Sequence, residues 1–147
     1  MSEDIRDRAA EALIALIPLY YKNVMRNRHT SNGVLVAQCH SLGLLMKFKA
    51  LPMSEIGNRL YISRPYMTRL ADLMIEDGLV ERQADPSDRR VINLTITPKG
   101  KKFLKESVSR YKKDLLESFE GLDDEELRKL GTALEDAYRI LIKINQE

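Results

Sequence analysis

The chain has 147 residues, 44% of them apolar and 31% charged, and its net charge is only +2. This is enough for one domain that buries a core without disulfides or metal, and it excludes a polycation, so a nucleic-acid partner must be held by a local patch. A single cysteine, Cys39, excludes an intrachain disulfide and fits a reducing cytoplasm; the charged opening "MSEDIRDRAAEAL" lacks a secretory apolar run, and no stretch approaches the ~20 apolar residues of a membrane span.

From Asp4 to about Arg26, apolar residues recur at Ile5, Ala9, Leu13, Leu16, Tyr20 and Val24, in the steps of three and four of a helix stripe. Pro18 removes one backbone donor and predicts a kink. His29 to Gly33 is a break, with Ser31 or Asn32 as the cap of a second helix over Val34 to Phe48. Pro52 marks another break, and Ser54 to Leu60 reads as a short helix. Tyr61, Ile62 and Ser63 form a turn, with Ser63 capping a helix from Arg64 to about Asp77 that Gly78 ends in a left-handed conformation. Met67, Leu70, Leu73 and Met74 in this helix should face the core.

Strands are predicted over Leu79 to Ala84 and Val91 to Thr97, joined by the turn residues Asp85-Pro86-Ser87-Asp88. In the second strand Ile92, Leu94 and Ile96 point one way and Asn93, Thr95 and Thr97 the other. Pro98 opens a long helix at a first-turn position, where its missing N–H costs nothing; its stripe is Phe103, Leu104, Val108, Tyr111, Leu115 and Phe119. Asp123 with Glu126 resembles a capping box for a last helix carrying Leu127, Leu130, Leu134, Tyr138 and Leu141.

Short helix, tight turn, second helix and β-hairpin, in that order, make a winged helix-turn-helix. The fold class is therefore mainly α with a small β-hairpin wing. The second helix would lie in a major groove and offer it Ser63, Arg64, Pro65, Tyr66, Thr68 and Arg69: arginine can donate twice to guanine, and Thr or Pro can touch a thymine methyl. The plainer alternative is an ordinary polar surface helix. Charge favours the groove: Lys47 to Lys102 holds 11 Lys and Arg against 7 Asp and Glu, so the basic excess sits on the proposed reading head.

Residues Met53 to Gly100 resemble the DNA-binding core of the MarR family of bacterial and archaeal transcriptional regulators. The matching positions are Ser54-Glu55-Ile56, Arg59-Leu60, Ser63-Arg64, Thr68-Arg69-Leu70, Gly78-Leu79-Val80, Arg82, Asp85, Asp88-Arg89-Arg90 and Leu94 to Thr97. Gly57 departs from the usual alanine, Pro52 from a Ser or Thr cap, and Tyr66 and Met67 are bulkier than common choices.

The resemblance implies a homodimer in which residues 1–32 and 103–147 supply interlocking helices around a winged domain at 33–102. It implies a pseudo-palindromic operator, a regulator that is a repressor, and a wing-tip arginine entering the minor groove. Arg89 takes that role, with a solvated turn as the alternative, while Arg90 pairs with Asp88 or Asp72 to hold the wing. Ser54 and Ser87 are candidate flanking contacts. A cleft for a small aromatic or phenolic effector would draw on Tyr20, Tyr21, Met25, Cys39, His40 and Arg110, although core packing is the stronger reading for Tyr20.

Cys39 is a candidate redox sensor, but its apolar surroundings favour a buried inert thiol. Cys39 and His40 with His29 lack a third strong metal ligand at suitable spacing, so no metal or cofactor is expected. No phosphate loop, nucleophile elbow or His/carboxylate set points to an enzyme. A winged-helix module that binds protein is the rival reading; basic residues kept together at Arg64, Arg69 and Arg89 favour DNA.

Overall fold

The computed structural model describes residues 2–24 and 33–144; Met25, His29 and the candidate caps Ser31 and Asn32 lie outside the described residues. Helix α1 spans Ser2–Val24 and runs on through Pro18. Helix α2, Gly33–Phe48, ends where Lys49 turns left-handed (φ 66°) and donates its N–H to the Leu45 carbonyl at 3.0 Å. A three-residue strand follows, β1 at Ala50–Pro52, and then α3 at Met53–Arg59 and α4 at Arg64–Glu76. Strands β2 (Val80–Ala84) and β3 (Ile92–Ile96) form the hairpin, and helices α5 (Pro98–Ser118) and α6 (Asp124–Ile144) complete the described chain.

The sheet has the order β1-β3-β2, antiparallel throughout, with Leu51 opposite Leu94 and Arg82 opposite Leu94 on the other side. The wing is therefore three-stranded rather than a lone hairpin. A segment as short as Ala50–Pro52 has no alternation from which to read a strand.

Leu42, Leu45, Ile56, Met67, Met74 and Leu94 are essentially inaccessible, and Leu51, Leu70, Ala71, Leu79 and Val80 join them in one cluster. Each large side chain so buried contributes roughly 1.5–3 kcal/mol. This cluster welds α2, α3, α4 and the sheet into a single head. Leu73, expected in the core, is 37% exposed: the buried stripe of α4 is narrower than its apolar stripe. Gly57 sits where an added Cβ would meet the Ile62 carbonyl at 3.3 Å and the Met67 side chain at 3.4 Å. Its departure from alanine thus goes with close packing of α3 on α4.

Helix α4 ends as expected. Gly78 adopts φ 72°, its N–H reaches the Ile75 carbonyl and the Leu79 N–H reaches that of Met74. These are the two bonds of a Schellman ending. The start of α5 is fastened beside it. The Thr97 side chain caps α5 by accepting from Gly100 N–H at 3.0 Å and donates to the Gly78 carbonyl at 2.6 Å. Gly100 lies so close to the Leu79 carbonyl that an added Cβ would come within 2.1 Å of it.

The outward face expected for β3 is only partly outward. Asn93 and Thr97 are buried and Ile92 is exposed, because both polar side chains make structural hydrogen bonds. The capping box of α6 forms in both directions, Glu126 N–H to Asp123 at 2.8 Å and Asp123 N–H to Glu126 at 3.0 Å. Among its described residues α6 buries none.

Candidate nucleic-acid interface

The outer face of α4 is built by its own periodicity. With Met67, Leu70, Ala71 and Met74 turned inward, Arg64, Pro65, Thr68 and Arg69 are left exposed and Tyr66 half-buried. Ser63 occupies the N-cap position, yet its side chain makes no capping bond. Thr68 Oγ1 donates to the Arg64 carbonyl at 3.0 Å, which leaves its hydroxyl engaged. Ser54, in the first turn of α3, is exposed.

The wing tip is organised by Asp85. One of its oxygens accepts from the backbone N–H groups of Ser87 at 2.8 Å and Asp88 at 3.1 Å, and the other from Asn93 Nδ2 at 2.9 Å. These bonds, the Asn93 amide first, hold its carboxyl below the usual range. Asp85 was no candidate from sequence, although an Asp opening a Pro-Ser turn is the pattern for such self-bonding. The loop closes with Asp85 N–H on the Val91 carbonyl at 2.9 Å.

The arginines divide into two groups. Arg90 pairs with Asp88 at 3.3 Å and its backbone N–H donates to the same oxygen at 3.0 Å. Asp72, the other partner considered for Arg90, instead takes Arg82 at 2.9 Å and ties α4 to β2. That correction follows from register: Arg82 is on the strand beside α4, while Arg90 is out in the tip. Arg59 is held by Glu55 at 2.7 Å and lies 4.4 Å over the Phe48 ring. Among the described residues Arg64, Arg69 and Arg89 make no ion pair. Free guanidinium groups on an exposed helix face and an exposed hairpin tip are what a phosphate or a base edge requires.

The model of the MarR family matches residues 32–91, which takes in the reading helix and the wing tip. Over those residues the chain is similar to the MarR family. It is 29% identical over 104 residues to the HTH-type transcriptional regulator YsmB of Bacillus subtilis, covering 69% of this chain and 71% of that one. It is 37% identical over 68 residues to the transcriptional repressor MdtR of the same species, covering 46% of this chain and 44% of MdtR. The structure of a MarR family protein from Bacillus stearothermophilus superposes with a TM-score of 0.69 at 24% identity, covering 92% of this chain and 97% of that one.

Behind the head lies a cleft of about 690 Å³, walled by Val36, Leu44, Leu60, Leu104 and Val108 and reached by Tyr20, Cys39, His40 and Tyr111. Three of the six candidate cleft residues therefore meet: Tyr20, Cys39 and His40. Tyr20 is 56% exposed, so it is no core residue within one chain. Tyr21 lines a different groove between α1, α5 and α6, together with Leu134. Arg110 is exposed and stands outside the lining, and Met25 lies outside the described residues.

Tyr111 was counted only in the stripe of α5. Its hydroxyl is buried without a hydrogen-bond partner among the described residues, and burial pushes its pKa up. Burial also pushes the Cys39 thiol up, which keeps it protonated and makes it a weak nucleophile. Among the described residues no three potential metal ligands draw together.

Proposed function

We propose that the protein acts as a homodimer on a pseudo-palindromic duplex operator, as a repressor released by a small aromatic or phenolic effector. The observation that carries the DNA reading is the division of the arginines. Arg64, Arg69 and Arg89 are free at the reading helix and wing tip, while Arg59, Arg82 and Arg90 nearby are held by carboxylates. The reading helices of a two-fold dimer would enter successive major grooves, and Arg89 of each wing would enter the flanking minor groove, where a narrow A·T-rich tract concentrates negative potential. Ser54 and Ser87 would contact the flanking backbone. The repressor role comes from MdtR by likeness.

Dimerisation is supported by apolar side chains that one chain leaves in water. Ile14, Ile17, Leu134, Tyr138 and Ile140 are each at least half exposed, on the terminal helices α1 and α6. Exposure of this extent on a monomer signals a partner surface. The effector reading rests on the cleft: apolar walls suit a ring, and the unpartnered Tyr111 hydroxyl suits a polar substituent on it.

The test combines sedimentation, footprinting and titration. A species of about 34 kDa, twice the 16.9 kDa chain, should protect two half-sites about 10 bp apart. A panel of hydroxybenzoates should lower affinity for that site. A stable micromolar monomer, or a single asymmetric half-site, would sink the reading.

A further inference from the structure

The turn between α3 and α4 repeats the helix ending seen at Gly78, with one difference. Tyr61 N–H reaches the Asn58 carbonyl at 3.3 Å and Ile62 N–H reaches that of Gly57 at 2.8 Å, the same pair of bonds that closes α4. The left-handed position that Gly78 fills after α4 is filled after α3 by Tyr61, at φ 54°. A Cβ makes that conformation costly, and an aromatic residue is among the rarest occupants of it. The core does not select the tyrosine either: Tyr61 is 96% exposed, the most exposed large apolar or aromatic side chain described. Ile62, the next residue, supplies the apolar contact of the turn.

Neither backbone nor packing accounts for a phenol here, so its use lies outside the chain. Tyr61 stands three residues before Arg64, at the edge of the end of α4 that carries the free Arg64. Strain held at such a place is a mark of function. We propose that Tyr61 is a DNA-backbone contact, its phenol hydroxyl donating to a phosphate oxygen at the rim of the groove that α4 enters. The inference rests on the DNA reading above. Tyrosine hydroxyls are regular donors to phosphate and carry no sequence information. Being uncharged, Tyr61 displaces no counterion, so it adds affinity without adding salt dependence. That separates it from every arginine on the same face.

The test uses the full chain and a mixed-sequence duplex, with wild type, Tyr61→Phe, Tyr61→Gly and Arg69→Ala titrated across salt. Tyr61→Phe should weaken binding about tenfold per contact, with the salt slope unchanged. Tyr61→Gly should bind no better than Tyr61→Phe, yet melt at the same or a higher temperature, because glycine relieves the left-handed position. If Arg69→Ala weakens binding while both Tyr61 variants bind like wild type, the phosphate contact is overturned and the DNA reading stands. If wild type itself binds no duplex, both fall. A lower melting temperature or a changed oligomeric state for Tyr61→Gly would assign the ring to the fold or to a protein interface, and would overturn the contact.

Discussion

Arg89 and Arg90 are neighbours in sequence with opposite expected behaviour on truncation. Arg89 has no carboxylate partner among the described residues, so Arg89→Ala removes a free charge and nothing that holds the wing. Each phosphate charge neutralised contributes about 0.9 to the slope of log affinity against log salt. Over a fourfold rise in salt, from about 50 to 200 mM, that is roughly 3.5-fold in affinity per wing and roughly 12-fold for two. The wild-type advantage over Arg89→Ala should therefore shrink by about that factor across the range, most visibly on operators with A·T-rich flanks. A partly exposed ion pair bracing the wing would make Arg90 worth up to ~1 kcal/mol. Its pair with Asp88 is 3.3 Å long with the arginine side chain 92% exposed, which reduces that to under about 0.5 kcal/mol. The backbone bond from Arg90 N–H to Asp88 also survives truncation. Arg90→Ala should thus melt within about 2 °C of wild type. Fluorescence anisotropy with a labelled duplex at several salt concentrations, paired with thermal melting, reads both. The minor-groove role is falsified if Arg89→Ala and wild type give superimposable salt lines; the wing would then be a solvated turn.

Gly100→Ala should destabilise by about 3 kcal/mol in thermal or urea denaturation, since its Cβ would come within 2.1 Å of the Leu79 carbonyl; an unchanged melting curve would mean that α5 shifts freely. Asp85→Ala should weaken DNA binding and lower the melting temperature by a few degrees, because it removes the bonds that order the tip and strands the buried Asn93 amide; wild-type binding and melting would mean that the tip orders without it. The same carboxylate predicts an acid effect. Its folded pKa is depressed below 3.8, so the stability it lends is present above that value and is lost as pH falls through the lower folded pKa; protection of the Asn93 side-chain amide, followed by NMR, should fall in that window and not above it. Leu134→Asp should shift sedimentation toward monomer and abolish operator binding, as the residue is half exposed on α6 beside the α1 groove; a dimer of unchanged affinity would place the interface elsewhere.

Features that were readable in the sequence share a local cause. Gly78 announces its left-handed turn because few other residues take it cheaply, and Asp123 with Glu126 announces a cap because both bonds form within four residues. The reading helix was legible for the same reason, since one turn of spacing sorts Met67 and Leu70 from Arg64 and Arg69. What sequence did not show depends on partners far along the chain. Strand β1 exists only because β3 pairs with it across some forty residues. Asn93 is buried because Asp85 needs its amide, and Asp72 chooses Arg82 because α4 packs on β2. The cleft was half legible: Cys39 and His40 were adjacent candidates, but Tyr111 comes from α5, some seventy residues on, and only the crossing of α2 with α5 brings it there. Tyr61 lies inside the turn of the helix-turn-helix, where sequence gives no reason to single it out. Its residue type fits any surface. Only its φ, set against the glycine at the equivalent end of α4, makes it an exception to explain. A local rule broken at the edge of the reading helix, with no gain to the core, is where a working contact with the duplex should be sought.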